Sequence, residues 1–305
     1  MGLHKTSTTS QHGTTTHNDA RRTKIVTTDT ATTHNTARTV NFTGTTAVIT
    51  GGASGIGKGI AQAFLAEGAQ VVIADIDGSA LAATARELGV LGVHTDVTDA
   101  ASVQALADRS VAEYGEVHVI CNNAGVGPMS PIAELTPEDW RWMIDVNLYG
   151  VVYGVHAFLP VLKRNTDWGH IVNTSSMSVL APPANLGAYV AAKAGVLGLT
   201  EVLDRELQLE NSVVGASALI PGPVRTNIMN SLRTRPAASA GALYDVDIAD
   251  NKKNFRFLQP ADVGAMVLAA IRTNTLYAAT HAEWIDQVID RHARIQAGFP
   301  ALITA

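Results

Sequence analysis

The sequence of 305 residues contains a single cysteine, Cys121. An internal disulfide is therefore impossible, and zinc sites built from several cysteines are excluded. Charged residues are also few, and Lys+Arg 22 against Asp+Glu 27 gives a net charge of −5, the wrong sign for holding nucleic acid through its phosphates. Long hydrophobic runs are missing, since the apolar stretch at residues 265–271 is far shorter than the roughly 20 residues of a membrane span. We expect a cytoplasmic protein that binds neither nucleic acid nor membrane.

Residues 1–40 lack any hydrophobic period, whereas they hold fourteen threonines and four of the ten histidines. Burial cannot offset the entropy of ordering such a segment, so we predict a disordered tail. The missing apolar centre excludes a signal peptide, while a transit peptide or a start codon placed too far upstream are alternatives. The other histidines are isolated in spacing, so no metal site is predicted. Residues 41–305 are predicted to form a single domain.

From residue 41 onward, short apolar runs alternate with longer segments of helical period. Apolar runs without polar alternation are typical of strands covered on both faces, and we predict strands at 46–50, 70–75, 117–121, 170–174 and 213–219. Helices are predicted at 55–67, 78–88, 99–114, 136–164 and 187–210. This alternation predicts an α/β fold, a doubly wound parallel sheet of Rossmann type with helices on both faces.

A glycine-rich turn follows the first strand, with the sequence Thr50-Gly51-Gly52-Ala53-Ser54-Gly55-Ile56-Gly57. Gly51 permits a tight turn, Gly55 lets the backbone approach a pyrophosphate, and Gly57 allows close packing of helix on strand. The next helix directs free N–H groups towards the phosphates. Asp75 ends the second strand, where a carboxylate accepts hydrogen bonds from ribose hydroxyls and repels a 2′-phosphate. Together these features predict a bound dinucleotide, NAD rather than NADP.

Further motifs follow in a fixed order: His94-Thr95-Asp96-Val97, Asn122-Asn123-Ala124-Gly125, Tyr189-Val190-Ala191-Ala192-Lys193 and Pro221-Gly222-Pro223-Val224-Arg225-Thr226. With the glycine turn, they make residues 42–260 resemble the short-chain dehydrogenases/reductases, in their shorter, single-domain branch. The resemblance implies an NAD(P)-dependent oxidoreductase that moves a hydride between nicotinamide and an alcohol or ketone. A non-catalytic dinucleotide sensor and a dehydratase or epimerase on the same fold are the alternatives.

The resemblance also implies the cofactor contacts. Asp96 and the backbone of Val97 would contact the adenine, although Asp96 also fits a turn residue that caps the helix starting near residue 99. Thr226 would bind the nicotinamide carboxamide. The remaining implied contacts are Gly51, Ser54, Gly55, Ile56, Gly57, Asp75, Asn123, Ala124, Gly125, Tyr189, Lys193, Pro221, Gly222 and Val224.

The predicted catalytic residues are Asn147, Ser176, Tyr189 and Lys193. Tyr189 and Lys193 share one helix face at i, i+4, and a nearby ammonium together with oxidised nicotinamide favours the phenolate, so the pair fits a proton shuttle. The resemblance implies that Ser176, thirteen residues before Tyr189, binds the substrate oxygen in preference to Ser175. It also implies that Asn147 holds a water that links Lys193 to solvent. A chance Tyr–Lys pair and a surface asparagine are the alternatives.

The predicted substrate pocket is apolar and fits a bulky secondary alcohol or ketone. Its predicted lining residues are Met129, Met177, Leu180, Pro182 and Leu186. A lid is predicted over about 226–258, mobile without ligand. A last strand is predicted at 275–279 and a terminal helix at about 283–297. Because this helix replaces the glycine-rich tail of tetrameric relatives, a homodimer is favoured over a homotetramer. The lid and terminal region resemble bacterial dehydrogenases acting on benzylic alcohols of lignin-derived aryl ethers.

Overall fold

The computed structural model describes residues 1–2, 40–236, 241–246 and 256–299. Within them, seven strands form one parallel sheet in the order β3-β2-β1-β4-β5-β6-β7. The strands are β1 (Thr46–Thr50), β2 (Gln70–Asp75), β3 (Leu91–His94), β4 (Val119–Asn122), β5 (Gly169–Thr174), β6 (Val214–Ile220) and β7 (Tyr277–Ala279). The strand order reverses between β1 and β4, which places a ligand crevice at the carboxyl ends of these two strands.

The described helices are α1 (Gly55–Ala66), α2 (Gly78–Leu88), α3 (Ala100–Tyr114), α4 (Pro137–Ile144), α5 (Gly150–Leu162), α6 (Met177–Leu180), α7 (Gly187–Leu209), α8 (Pro260–Thr273) and α9 (Ile285–Ala297). One face of the sheet packs against α1, α2 and α8 through side chains such as Phe64 and Val267. The other face packs against α3, α5 and α7 through Leu106, Phe158 and Leu203. The predicted doubly wound parallel sheet is therefore confirmed.

Several elements differ from the sequence prediction, which did not include helices α6 and α8. Strand β3 was not predicted, because it has only four residues, includes Gly92 and alternates half-buried with exposed side chains at the sheet edge. The helix predicted over 136–164 is interrupted, since α4 is followed by a π-helical turn at Asp145–Tyr149 before α5 begins. The hydrophobic period carries through this turn, so periodicity alone did not reveal the break.

Helices α4 and α5 with the turn between them form a helical stretch, Pro137–Leu162, that has the length and composition of a membrane span, with a mean hydropathy of 1.2. This is weak evidence for a membrane, because core helices of globular proteins pass the same test. Here Phe158 and Leu162 on this stretch are buried against the sheet. The predicted tail falls outside the described residues from 3 to 39, as do lid residues 237–240 and 247–255.

Helices α1 and α8 cross at very short range because two glycines face each other. A Cβ at Gly59 would lie 2.2 Å from the carbonyl oxygen of Pro260, and a Cβ at Gly264 would lie 2.4 Å from the carbonyl oxygen of Gly59. We expect Gly59→Ala to lower the free energy of unfolding by about 1–3 kcal/mol, because backbone must move to admit the methyl group. Urea unfolding followed by circular dichroism measures the change.

The matched control is Gly198→Ala on α7, where nothing lies within 4 Å of the added Cβ. Alanine is the better helix former, so this variant should unfold at equal or higher urea, with a gain of up to about 1 kcal/mol. Equal destabilisation by both substitutions would show that the α1–α8 crossing is not tight.

Candidate active site

A cavity of about 590 Å³ opens at the carboxyl ends of the central strands. It extends from Asp75 at the end of β2 to Tyr189 on α7. The residues predicted to bind a cofactor that line it are Gly51, Ser54, Gly55, Ile56, Asp75, Asp96, Val97, Asn123, Ala124, Gly125, Tyr189, Lys193, Pro221, Gly222, Val224 and Thr226. The motifs scattered along the sequence thus meet around one space.

The glycine turn forms the cavity wall at the start of α1. Gly51 and Gly55 have φ values of +64° and +51°, which favour glycine. Gly57 is not among the described lining residues, and its cofactor contact stays a prediction. A Cβ there would lie 2.2 Å from the Gly51 carbonyl oxygen, and Gly57 therefore supports the turn from beneath. Ser54 precedes the first residue of α1, so free N–H groups and the positive helix end face the cavity and fit a pyrophosphate.

Two carboxylates border the end of the cavity near β2. Asp75 accepts hydrogen bonds from the backbone nitrogens of Ala53 and Asp77, both at 3.1 Å, which fix its carboxylate at the wall. Asp96 accepts hydrogen bonds from Thr98, at 2.9 Å from its nitrogen and 2.7 Å from its hydroxyl. Helix α3 is capped by Asp99 instead, so Asp96 shapes a turn rather than capping that helix.

The floor of the cavity is joined by hydrogen bonds between β1 and β4. The Oγ1 of Thr50 accepts from the backbone nitrogens of Asn123 at 3.0 Å and Ala124 at 3.1 Å. The Nδ2 of Asn123 donates to the Thr50 carbonyl at 3.0 Å. These bonds hold the two strand ends together at the point where the strand order reverses.

The polar side chains at the other end come from β5, α6 and α7. Lys193 is only 1% exposed and its Nζ donates to the carbonyl oxygen of Thr174 at 2.8 Å and lies 5.9 Å from the Tyr189 ring centroid. The Ser176 hydroxyl accepts hydrogen bonds from the Ser178 nitrogen at 3.2 Å and the Ser178 hydroxyl at 3.0 Å, and it faces the Tyr189 phenol closely enough to offset part of the rise that burial causes in the pKa of Tyr189. Ser175 turns away, donating to the Lys193 carbonyl oxygen at 2.9 Å. This arrangement supports Ser176 rather than Ser175 as the residue beside Tyr189.

Burial controls the charge of both α7 side chains. It raises the pKa of Tyr189, and the hydrogen bond from Ser176 only partly opposes this shift. It lowers the pKa of Lys193 to about 7. The sequence led us to expect that the ammonium favours the phenolate. Within the protein alone, the loss of water around both groups outweighs that attraction.

Asn147 is fully buried at the centre of the π-helical turn, so the surface alternative is wrong. Its Nδ2 donates to the carbonyl oxygens of Val126 and Met143, both at 3.0 Å, and its Oδ1 accepts from the Val126 nitrogen at 3.1 Å. A Cβ at Gly125 would lie 2.9 Å from this Oδ1 and 3.4 Å from the Lys193 Nζ. Asn147 and Lys193 thus border the same glycine, and the water between them remains a prediction.

The predicted substrate pocket is partly corrected. Met129, Met177 and Leu186 line the cavity, whereas Leu180 and Pro182 are not among its described lining residues. Leu180 packs instead against the hydrophobic cluster beneath α9, and Pro182 is exposed to solvent. Ile228 and Met229 of the predicted lid line the cavity, and the apolar lining residues that sequence reasoning missed include Trp142, Val146 and Trp284.

The described residues also bear on metal binding and on the reactivity of Cys121. Among the described residues, no group of three or more His, Cys, Asp or Glu side chains is placed to hold a metal ion. Burial raises the pKa of the Cys121 thiol, and its side chain packs in the core. Cys121 is therefore a packing residue and not an activated nucleophile.

The parallel sheet, the glycine turn and the crevice define a dinucleotide-binding protein of Rossmann type. Residues 45–237 match the short chain dehydrogenase family. The chain therefore belongs to the short-chain dehydrogenases/reductases, a family of oxidoreductases, and the resemblance of its motifs is confirmed.

Individual relatives agree with this assignment. The chain is 38% identical over 196 residues to 3beta-hydroxysteroid dehydrogenase 2 of Eggerthella lenta, covering 62% of this chain and 75% of that protein. It is 32% identical over 256 residues to the C alpha-dehydrogenase of a Sphingobium species, covering 81% and 83%. A short chain dehydrogenase/reductase from Burkholderia phymatum, solved in complex with NAD, superimposes with a TM-score of 0.80 at 36% identity, over 87% of this chain and 100% of that one.

The lowered pKa of Lys193 predicts a pH-dependent stability. An unfolded lysine has a pKa of ~10.4. Between about pH 7 and pH 9, the unfolded chain therefore holds a proton on Lys193 that the folded protein has released. The free energy of unfolding should therefore rise with pH in this interval, by up to about 1.4 kcal/mol per pH unit. Denaturant titrations of the wild type and Lys193→Met measure the difference, and parallel pH curves would contradict the shift.

Proposed function

We propose that this protein is an NAD-dependent dehydrogenase or ketoreductase acting on a hydrophobic secondary alcohol or its ketone. The observation that carries the proposal is the convergence of Ser176, Tyr189 and Lys193 in the cavity that also contains the glycine turn and Asp75. A bound nicotinamide dinucleotide supplies hydride transfer in such a site. A purely non-catalytic sensor would not need this set of buried polar side chains beside an apolar pocket.

The chain's own residues fit proton transfer at the substrate oxygen. Ser176 and Tyr189 face the same cavity, and Ser176 offsets part of the rise that burial causes in the pKa of Tyr189, so an alcohol oxygen seated beside both hydroxyls would be oriented for reaction. Tyr189 would take the alcohol proton during oxidation and return it during reduction. Lys193, whose Nζ is anchored by the Thr174 carbonyl, would place a positive charge near the phenol and bind ribose hydroxyls. Asn147 would orient the solvent link behind Lys193.

The substrate end of the cavity favours a bulky apolar group. Its described walls carry two tryptophans and several methionines, including Trp142, Met177, Met229 and Trp284. Such surfaces bind an apolar body by burial and leave the hydroxyl for the polar side chains. The names of two relatives, a 3beta-hydroxysteroid dehydrogenase and a C alpha-dehydrogenase, fit this substrate class. Assembly as a homodimer or homotetramer and a cytoplasmic location stay predictions.

Cofactor choice is proposed from the charges near the adenosine end. Asp75 presents a carboxylate there, and Lys58, the cation that follows the last glycine of the turn, is engaged 2.8 Å from Glu87. The B. phymatum relative was solved in complex with NAD. Arg233 also lines the cavity and helps to lower the pKa of Asp77, after larger contributions from the hydrogen bonds of Ala80 and Ser79.

Tyr189→Phe tests the reaction. Loss of the phenol oxygen should lower kcat by about 10²–10⁴-fold, because the proton has no acceptor, while NAD still binds. A panel of hydrophobic secondary alcohols with NAD at mildly alkaline pH, followed by reduced-cofactor absorbance, measures turnover, and fluorescence titration measures NAD binding. Near-normal turnover would remove Tyr189 from the mechanism. Conversion of substrate without reduced cofactor would favour the dehydratase or epimerase alternative.

Asp75→Ala tests cofactor choice. Removing the carboxylate should shift the ratio of kcat/KM for NAD to that for NADP towards NADP by about tenfold, or about 1.4 kcal/mol, because the repulsion of a 2′-phosphate is lost. The control is Asp99→Ala, which removes a carboxylate that caps α3 and is exposed. An unchanged ratio in Asp75→Ala would contradict the assignment.

A further inference from the structure

One buried carboxylate joins α4 to two separate points of the lid. Asp139 is completely buried, and its Oδ1 accepts a hydrogen bond from Nη1 of Arg235 at 2.6 Å. Its Oδ2 accepts from the backbone nitrogen of Ala242 at 2.9 Å and from that of Thr136 at 2.9 Å. Arg235 and Ala242 belong to the lid, whereas Thr136 is the N-cap of α4. The carboxylate thus bonds to three parts of the chain at once.

Helix capping does not explain this burial. Helix α8 starts with the same pattern, a capping box in which Asp262 accepts from the Gln259 nitrogen at 2.9 Å and a proline occupies the first turn. Asp262 is exposed, and its capping hydrogen bond is made with Gln259 at its own helix end. An exposed aspartate is therefore sufficient to start a helix in this way. The additional contacts of Asp139 serve the lid.

The ion pair is closely packed against the substrate wall. Arg235 has only 7% of its side chain exposed, and its guanidinium lies 5.3 Å from the ring centroid of Trp142, which lines the cavity. Thr234 and Pro236, on either side of Arg235, also line the cavity. A shift of the arginine would therefore move Trp142 and the lid wall together.

The charges in this cluster depend on each other. Burial raises the pKa of Asp139, but the hydrogen bonds from Thr136, Ala242 and Arg235 outweigh it, so the net pKa is lowered and the carboxylate is ionised. A buried carboxylate or guanidinium without its partner is strongly unfavourable. Each member therefore restricts the position of the other.

The other lid contacts are of a different kind. Asp245 accepts from the backbone nitrogens of Ser231 and Leu232, which are themselves lid residues. Met129 and Tyr244 exchange backbone hydrogen bonds at 3.0 Å. These bonds shape the lid and hold its edge. Leu232 and Leu243 pack in one hydrophobic cluster with Trp142, and the Asp139–Arg235 pair adds a charged link between the lid and the helix that carries Trp142.

We propose that Asp139 is a positioning residue for substrate specificity: through its ion pair with Arg235 it fixes the wall formed by Trp142 and the lid against the apolar part of the substrate. This inference rests on the proposed function for its substrate readout. It concerns substrate affinity, because Asp139 lies behind the wall and touches neither the cofactor end nor Tyr189.

Asp139→Asn is the test and Asp262→Asn is its matched control. Both substitutions keep the size of the side chain and remove the charge from a capping box. We expect Asp139→Asn to raise KM for a bulky secondary alcohol by about tenfold, with KM for NAD and kcat changed by less than about threefold. Asp262→Asn should leave all three constants unchanged. Equal effects of the two variants, or a loss of kcat and NAD affinity at constant KM for the alcohol, would overturn the proposal.

A second measurement does not depend on activity. Hydrogen exchange followed by mass spectrometry should show faster exchange in peptides spanning 231–236 and 241–246 in Asp139→Asn, where the acceptor for the Ala242 amide is weakened, and no change in Asp262→Asn. Unchanged exchange in both variants would overturn the proposal. If the wild type oxidises no alcohol with NAD or NADP, the proposed function fails, while faster exchange in Asp139→Asn alone still supports the lid anchor.

The double variant Asp139→Asn/Arg235→Met covers the case in which Asp139→Asn does not fold. It leaves neither charge buried without a partner, so it should be the more stable protein of the two. It should still show the raised KM for the bulky alcohol and the faster lid exchange. A double variant with wild-type values for both would show that the ion pair does not position the wall.

Discussion

The burial of Lys193 is the constraint on which the rest of the site depends. Its Nζ bonds to the carbonyl oxygen of Thr174 at the end of β5, and its own carbonyl accepts from Ser175. These two reciprocal bonds fasten α7 to the strand end. Tyr189, one turn earlier on α7, is thereby placed beside Ser176. The relative position of the two hydroxyl groups therefore does not depend on a flexible loop. A pair of bonds between helix and strand thus sets the catalytic geometry.

The fold could largely be predicted from the sequence because its information is local. Buried parallel strands are continuous apolar runs, and helix starts carry polar caps such as Thr136 and Asp99, so β1, β2, α2 and α7 lie within a residue of the predicted bounds. Strand β3 was not predicted because a strand at the edge of the sheet need not be apolar. The π-helical turn leaves no mark on the hydrophobic period, although the resemblance implies that Asn147 interrupts the local hydrogen bonding of its helix. The Asn147 amide bonds to Met143, one turn earlier, and to Val126, 21 residues away.

The cofactor end and the substrate end of the site also differ in how far their residues could be predicted from the sequence. The cofactor end is built from short motifs, each of which is local in sequence, so the resemblance carried by these motifs could indicate its residues. The substrate end is built from segments that meet only after folding, and Asp139 and Arg235 are 96 residues apart. Leu180 and Pro182 were predicted to line the pocket because they follow Ser176 in sequence, yet packing against α9 and exposure to solvent place them elsewhere.

Arg235 and Lys193 are both buried near the cavity, but their positive charges face different partners. Arg235 pairs with a carboxylate, whereas Lys193 bonds to a backbone carbonyl. Arg235 is held by the Asp139 carboxylate at 2.6 Å, so it suits a fixed wall. Lys193 bonds to a neutral carbonyl, and burial lowers its pKa to about 7. Its charge therefore responds to whatever binds beside it. A bound group that carries negative charge or hydrogen-bond acceptors would restore the ammonium, and the ammonium would in turn lower the pKa of Tyr189. In the function proposed above, the fixed cation would hold the substrate wall and the adjustable one would assist proton transfer.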